Sequence, residues 1–104
     1  MPKVIVLYPP PKDANEFERR YRTEHAPMVV GKIPGLKQFV AARIVGAPDG
    51  SAGAYQRIAE LYFDTNAALQ AGLASPECQA AVAHAVEIST GGTPTVLVAE
   101  DDPA

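Results

Sequence analysis

The residue best suited to chemistry is His25, which lies in the segment YRTEHAPMV, two residues before Pro27. An imidazole has an unperturbed pKa near neutrality and therefore suits general acid/base catalysis. A structural role is the alternative, because a histidine near the end of a helix interacts favourably with the helix dipole. The residues around His25 leave both interpretations open.

A carboxylate and two phenols are the next candidates. Glu60 lies between apolar neighbours in a predicted strand, where a carboxylate is unfavourable unless it is paired or serves a pocket. Its alternative role is a salt bridge to Arg43 or Arg57, or a contact in a dimer. Tyr8 and Tyr62 are predicted to donate hydrogen bonds into a pocket, although such tyrosines more often are core rings with a hydrated hydroxyl group.

These candidates define a predicted site. The predicted catalytic residues are His25, Glu60 and Tyr8, and the predicted substrate-binding residues are Tyr62, Tyr21, Phe39 and Arg43. His25 moves the proton, and the other polar groups orient the substrate or stabilise a developing oxyanion. Tyr21 lies on the first predicted helix and is also a candidate for the core.

Other kinds of site have weaker support. Cys78 lies near the start of a predicted helix, which lowers a thiol pKa, but Glu77 adjoins it and we interpret it as a small buried hydrophobe. His25 and His84 fall on different predicted helices and lack the compact spacing of metal ligands. The pair Gly91-Gly92 precedes a strand, so the dinucleotide-binding fingerprint is absent. We therefore expect no metal and no cofactor.

Composition narrows the class of protein. The chain has 104 residues, which fits one domain spanning residues 1–104, and its charge sum is 9 − 12 = −3. No cluster of Lys and Arg is present, so a nucleic-acid partner is not expected. A single cysteine suits a reducing cytosol, and the apolar run Val4 to Leu7 is too short for a signal peptide or a membrane span. We predict a cytoplasmic protein without a membrane partner.

The hydrophobic pattern predicts alternating strands and helices. The predicted strands cover residues 4–8, 36–45, 55–63 and 95–99. The first helix starts at Asp13, carries the apolar stripe Phe17, Tyr21 and Met28, and reaches a break or re-started turn at Ala26-Pro27. The second helical region starts at residues 64–66, is capped again at Ser75 and ends at Gly91.

This order predicts an α+β fold of the ferredoxin-like β-α-β-β-α-β type, with a four-stranded antiparallel sheet and helices on one face. In the second strand, alternation places Phe39 and Arg43 on one face, and Leu36 and Val40 on the other. Two helices cover only one face of such a sheet. The other face also carries apolar residues, so we predict a homodimer that forms through it.

The chain resembles the EthD family, within the dimeric α/β-barrel group. The resemblance rests on the segments VIVLYPPP, FERRYRTEHAPMV, PGLKQFVAARIVGAPDG, YQRIAELYFD and ASPECQAAVA...STGGTPTVLVAE, which follow in order along essentially the whole chain. The histidine followed by Ala-Pro and the strand AELYFD are its most characteristic parts. The resemblance implies a homodimeric barrel and a pocket between the sheet and the first helix.

The resemblance does not imply one reaction, since fold alone does not choose the chemistry. We expect cofactor-independent acid/base chemistry, of isomerase, dehydratase, decarboxylase or lyase type, on a small hydrophobic oxygenated ligand. The alternatives are a non-catalytic binding or oxygenase-accessory protein, and a haem-binding or monooxygenase-like protein that uses His25 as a ligand.

Overall fold

The computed structural model describes residues 1–103, and Ala104, the last residue of the predicted domain, lies outside the described residues. The elements, in chain order, are strand β1 (Pro2–Tyr8), helix α1 (Ala14–Arg20), a π-helical segment (Tyr21–His25), helix α2 (Ala26–Val29), strands β2 (Leu36–Arg43) and β3 (Arg57–Phe63), helices α3 (Asn66–Ala74) and α4 (Pro76–Ile88), and strand β4 (Thr95–Glu100). The predicted α+β ferredoxin-like order of elements is confirmed.

The four strands form one antiparallel sheet in the order β2-β3-β1-β4. In the two central strands, Val4 of β1 lies opposite Leu61 of β3, and Ile5 lies opposite Glu60. Because side chains alternate along a strand, Leu61 and Glu60 point to opposite faces of the sheet. The buried positions of β3 alternate in the same way, so one face is covered by the helices.

The covered face holds the main core. Its buried residues come from β1, β3, the helices and the turn between α2 and β2, and they are Val4, Val29, Ile33, Ala59, Leu61, Phe63, Leu69, Cys78 and Ala81. Helix α3 packs closely on β3, because a Cβ atom at Gly72 would lie 2.6 Å from Cε1 of Phe63. Only glycine allows this approach, which lets Phe63 be completely buried.

The first helical region is longer and more continuous than predicted. Asp13 caps α1 as expected, and its side chain accepts a hydrogen bond from the Glu16 N–H. No break occurs at Ala26-Pro27. The Ala26 N–H bonds to the Tyr21 carbonyl group, five residues earlier, and this wider turn leads directly into α2. Pro27 then occupies the first turn of α2, where its missing N–H is tolerated.

The second helical region has its predicted N-terminal caps, but α4 ends at Ile88, before the predicted end at Gly91. The Ser75 side chain accepts a hydrogen bond from the Cys78 N–H, and Pro76 begins α4 as predicted. Each strand differs from its predicted range at one end, since β1 begins at Pro2, β2 ends at Arg43, β3 begins at Arg57 and β4 ends at Glu100.

The predicted face of Leu36 is wrong. A register shift lies between Leu36 and Gln38, so that Leu36 pairs with Phe63 and packs against the core. Two residues of β2 then oppose one of β3, which moves Leu36 to the covered face.

The second face of the sheet, called here the outer face, is not covered by any element of residues 1–103. Strand alternation places Ile5, Leu7, Val40, Ile58 and Leu97 on it, together with the polar residues Lys3, Glu60 and Tyr62. Val40 and Leu97 are 39% and 49% exposed. Within residues 1–103, none of the helices has both the length and the apolar character needed to cross a membrane.

Candidate functional site

A cavity of about 190 Å³ lies between the covered face of the sheet and the helices. Its polar or reactive lining residues are Tyr8, His25, Cys78 and Thr93. The other lining residues are apolar: Val4, Val6, Val29, Ile33, Phe39, Ala59, Leu61, Leu73, Ala81, Val82, Ala85, Val86, Pro94 and Val96. Val82, Val86 and Val96 are each about half exposed, so the cavity opens to solvent between α4 and β4.

Two elements bring Tyr8 and His25 together. Tyr8 is the last residue of β1 and points to the covered face, as Val4 does. His25 ends the π-helical segment and is only 5% exposed. Tyr21 and His25 are four residues apart and lie on the same side of the segment, with ring centroids 5.2 Å apart. His25 therefore lies within the buried stripe that contains Phe17 and Tyr21.

The helix-end interpretation of His25 is not supported by this geometry. The helical path continues from His25 through α2 to Val29, so the ring is inside the helical region and not at its carboxyl end. The effect of a helix dipole is confined to the last turn. The position of His25 is set instead by burial and by side-chain hydrogen bonds.

His25 belongs to a series of hydrogen bonds that leads from the cavity to the surface. Its Nε2 atom lies 3.4 Å from the Tyr8 hydroxyl oxygen, and its Nδ1 atom lies 3.1 Å from Nδ1 of His84. The two imidazole planes differ by 11°. The Nε2 atom of His84 lies 3.1 Å from Oε1 of Glu24. We call these four side chains the Tyr8–Glu24 series.

The partners fix where the hydrogens of the neutral rings lie. A carboxylate only accepts hydrogen bonds, so Nε2 of His84 carries a hydrogen and donates it to Glu24. In the neutral ring Nδ1 of His84 is then bare, and Nδ1 of His25 must be the donor between them. The remaining nitrogen of His25, Nε2, has no hydrogen and accepts one from Tyr8. Every donor in the series therefore lies on the cavity side of its acceptor.

Burial controls the ionisation of these groups. Loss of solvation, with a smaller contribution from His84, lowers the pKa of His25 from 6.5 to about 4, so the ring is neutral at pH 7. Burial also raises the pKa of Tyr8 well above its ordinary value. The hydrogen bond from Arg20, and then the one from His84, lower the pKa of Glu24, which is therefore ionised.

Three further residues were predicted to bind substrate, and the structure places them differently. Phe39 lines the cavity. Tyr21 is buried beside Tyr8 and His25 but does not line the cavity, and its ring lies under the Arg57 guanidinium group at 4.3 Å. Arg43 is exposed at the end of β2 and is not part of the cavity wall. Phe39 is thus the one of these three that is placed to touch a ligand in the cavity.

Glu60 and Tyr62 lie on the outer face, with the sheet between them and His25. The Tyr62 hydroxyl donates to Glu60 at 2.8 Å, and Nζ of Lys3 lies 3.7 Å from the same carboxylate. The expected grouping of Glu60 and Tyr62 with His25 is therefore not formed within one chain, because β3 alternation separates them. The ion-pair partner of Glu60 is Lys3, and the predicted partners Arg43 and Arg57 are incorrect.

Sequence reasoning missed His84 and Glu24 as members of the site. A signal for His84 exists, since Ala81, Ala85 and Ile88 are buried and place the inner face of α4 beside it. No local pattern indicates that this face meets the π-helical segment. Cys78 is buried, and burial raises its pKa, in agreement with the predicted inert thiol. Within residues 1–103, no group of three or more His, Cys, Asp and Glu side chains is placed to hold a metal ion.

Comparison with known proteins identifies the family. The family model of the EthD domain matches residues 9–87. The chain belongs to the EthD family. The match includes Glu24, His25 and His84, and it begins directly after Tyr8.

Two relatives support this assignment, and a third solved structure shares the fold. An uncharacterised 11.0 kDa protein from the thcB-thcC intergenic region of Rhodococcus erythropolis is 32% identical, over 98% of this chain and 96% of the relative. The crystal structure of an EthD-family protein from Bacillus halodurans is 33% identical, with a TM-score of 0.90 over 98% of this chain and 99% of that one. A dimeric ferredoxin-like protein of unknown function from Thermobifida fusca shares the fold, at 17% identity and a TM-score of 0.70, over 93% and 87% of the two chains.

Proposed function

We propose that this EthD-family protein catalyses cofactor-independent proton transfer on a small hydrophobic carbonyl compound bound in the cavity. The observation that carries the proposal is the bare Nε2 atom of a neutral, buried His25 beside the Tyr8 hydroxyl group, in a wall that is otherwise almost entirely apolar. A base and a hydrogen-bond donor at one point of an apolar cavity suit removal of a proton next to a carbonyl group.

The proposed step uses both side chains. Nε2 of His25 takes a proton from the carbon next to the carbonyl group. The electrons of that C–H bond form a carbon–carbon double bond, and the π electrons of the carbonyl group move to its oxygen. Tyr8 then donates its hydrogen bond to this developing oxyanion. The Tyr8–His25 distance of 3.4 Å is long for a hydrogen bond, so a substrate oxygen can replace the imidazole as the acceptor. Return of the proton to another carbon completes an isomerisation, and loss of a neighbouring leaving group completes an elimination.

The size of the cavity limits the substrate. An engineered protein cavity of about 150 Å³ binds benzene. The cavity here, at about 190 Å³, therefore suits one ring with a small polar substituent. Its opening between α4 and β4 leaves room for a chain that extends from the ring.

The size of the cavity favours this small substrate over haem, because a porphyrin contains four pyrrole rings and exceeds about 190 Å³. A carrier of the same small ligands remains the competing function, and turnover distinguishes the two.

The test is hydrogen–deuterium exchange at the carbon next to the carbonyl of cyclohexanone, followed by proton NMR in D₂O. The protein should accelerate exchange, and His25→Gln should reduce the acceleration about 10²–10⁴-fold, because the amide forms hydrogen bonds but does not titrate near pH 7. Lys32→Gln, at an exposed position, is the control and should accelerate cyclohexanone exchange as much as the wild type does. Binding of cyclohexanone without any accelerated exchange would support the carrier function and overturn this proposal.

We also propose that the protein is a homodimer that forms through the outer face. The related structure from Thermobifida fusca is described as dimeric, and the outer face here carries apolar side chains without cover. Sedimentation at micromolar concentration should give twice the chain mass. Leu97→Asp should give a folded monomer, whereas Val30→Asp, which is 59% exposed away from the sheet, should remain dimeric. A wild-type chain that sediments as a folded monomer would exclude this assembly.

A further inference from the structure

We infer that His84, held by Glu24, is a positioning residue that keeps His25 in its reactive tautomer and conducts the proton between His25 and solvent. The inference deepens the proposed function, and its catalytic part rests on that function. Its structural part concerns only the hydrogen-bond order of the Tyr8–Glu24 series and can be tested without turnover.

The series runs outward from the cavity through side chains of increasing exposure. His25 is 5% exposed, and the His84 and Glu24 side chains are 14% and 37% exposed. The two intervening hydrogen bonds are each 3.1 Å long. This is a continuous path from a buried ring to a solvated carboxylate, and it crosses between the π-helical segment and α4.

The direction of the hydrogen bonds allows a proton to move along this path. When Nε2 of His25 gains a proton, the hydrogen on its Nδ1 can pass to the bare Nδ1 of His84. His84 then carries hydrogens on both nitrogens and lies against the Glu24 carboxylate, from which the proton can reach water. The reverse transfer returns a hydrogen to Nδ1 of His25, and the hydrogen on Nε2, after exchange with water at the cavity opening, passes back to the substrate carbon. The starting tautomer is then restored and no other reactant is needed.

The environment explains why a second imidazole is useful. A positive charge on His25 would face Tyr8, Tyr21 and His84 in a buried site, where charged groups are poorly solvated. On His84 the same charge lies 3.1 Å from an ionised carboxylate. Transfer to His84 therefore moves the charge from an apolar wall to an ion pair.

Glu24 is itself held in place. Nε of Arg20 donates to the same Oε1 atom that His84 contacts, at 3.0 Å, and Nη2 of Arg20 also contacts Glu87 at 2.6 Å. Arg19 lies 3.9 Å from the other carboxylate oxygen of Glu24. These contacts orient the carboxylate toward α4 and keep it ionised.

The structural test is nitrogen-15 NMR of the His25 ring at pH 7. Wild-type His25 should carry its hydrogen on Nδ1. His84→Phe removes the acceptor, so the hydrogen should move to Nε2. His84→Asn places an amide oxygen near the former Nδ1 position and should retain the hydrogen on Nδ1 of His25. A wild-type His25 with its hydrogen on Nε2, or one that ignores both substitutions, would overturn the inference.

The catalytic test uses cyclohexanone exchange with His84→Asn and Glu24→Gln. His84→Asn keeps the tautomer but has no second proton site, so kcat should fall about 10–10²-fold with KM unchanged. Glu24→Gln, nearer the surface, should give a smaller loss of kcat. If His84→Asn accelerates cyclohexanone exchange as much as the wild type does, proton transfer to His84 is wrong, while His25 remains the proposed base. If neither the wild type nor any variant accelerates cyclohexanone exchange but the tautomer results hold, the proposed function fails and the positioning role of His84 stands.

Discussion

The two faces of the sheet each carry a small polar cluster, and the clusters differ in kind. On the covered face, Tyr8 and His25 are buried and electrically neutral, and directional hydrogen bonds hold them. On the outer face, Lys3, Glu60 and Tyr62 are partly exposed and joined by ion pairs and a hydrogen bond. The two tyrosines therefore have different surroundings, and of the two clusters only the first lines the apolar cavity.

The polar groups of the outer cluster already bond to one another. Nζ of Lys3 lies 2.9 Å from Asp101 and 3.7 Å from Glu60, and the hydrogen bond to Asp101 is the main reason that the pKa of Lys3 is raised. The hydrogen bond to Glu60 raises the pKa of Tyr62. Both partners contact the Oε2 atom of Glu60, and this carboxylate does not line the cavity. The comparison indicates that a reactive group needs a place in the cavity wall and a bonding partner that a substrate can replace.

The largest expected contrast between the faces is in activity. Glu60→Gln should leave cyclohexanone exchange unchanged, whereas His25→Gln should lower it about 10²–10⁴-fold, because only His25 lies in the cavity wall. Rates are compared by proton NMR under identical conditions. Equal losses in the two variants would mean that both faces serve one site, and the separation drawn here would be incorrect.

The next contrast is in acid stability. His25 has a pKa of about 4 in the folded chain and about 6.5 when unfolded, so between these values the unfolded state binds the extra proton. Wild-type stability should therefore fall by about 3 kcal/mol more than that of His25→Phe as the pH drops from 6.5 to 4. The stability attributed to neutral burial is fully present above pH 6.5.

Urea unfolding of both proteins at pH 7 and pH 4.5 measures this difference. Glu18 and Glu24 also have lowered pKa values, but they titrate in both proteins and cancel in the comparison. Parallel pH profiles for the wild type and His25→Phe would show that His25 ionises freely in the folded state. The burial described here would then be wrong.

The smallest contrast compares the two tyrosines. Tyr8→Phe should lower cyclohexanone exchange about 10²-fold, because the developing oxyanion loses its donor, whereas Tyr62→Phe should not change it. Each change should cost only about 0.5–1.5 kcal/mol of unfolding free energy, the usual value of one hydrogen bond. Exchange rates and urea midpoints measure both quantities. Loss of exchange in Tyr62→Phe alone would assign the oxyanion site to the outer face.

Local signals explain why most of the fold was predictable. The caps at Asp13 and Ser75, and the alternation in β3, act within a few residues and are present as predicted. The register shift at Leu36 was not predictable, because it depends on how β2 pairs with β3 and not on β2 alone. The strand pattern also indicated that Glu60 and Leu61 face opposite ways, but not which face lies beside His25.

The site was predictable only in part for a related reason. Chemistry-bearing residue types selected His25 and Tyr8, which the structure brings together. His84 is 59 residues from His25 in the chain, and their contact depends on how α4 packs against the π-helical segment. That packing is a tertiary property without a short sequence signature.

The wide turn at residues 21–25 determines how the site responds to the loss of one residue from this segment. A π-turn arises when one residue is added to an α-helix without disturbing the helix on either side. Removing one residue from the middle of the turn would therefore restore an α-helix and leave α1 and α2 in place. In a regular α-helix, by contrast, the loss of one residue rotates every later side chain by about 100° about the axis and shifts it by about 1.5 Å along it. The wide turn thus allows the chain to lose one residue before His25 while the imidazole stays beside Tyr8 and His84.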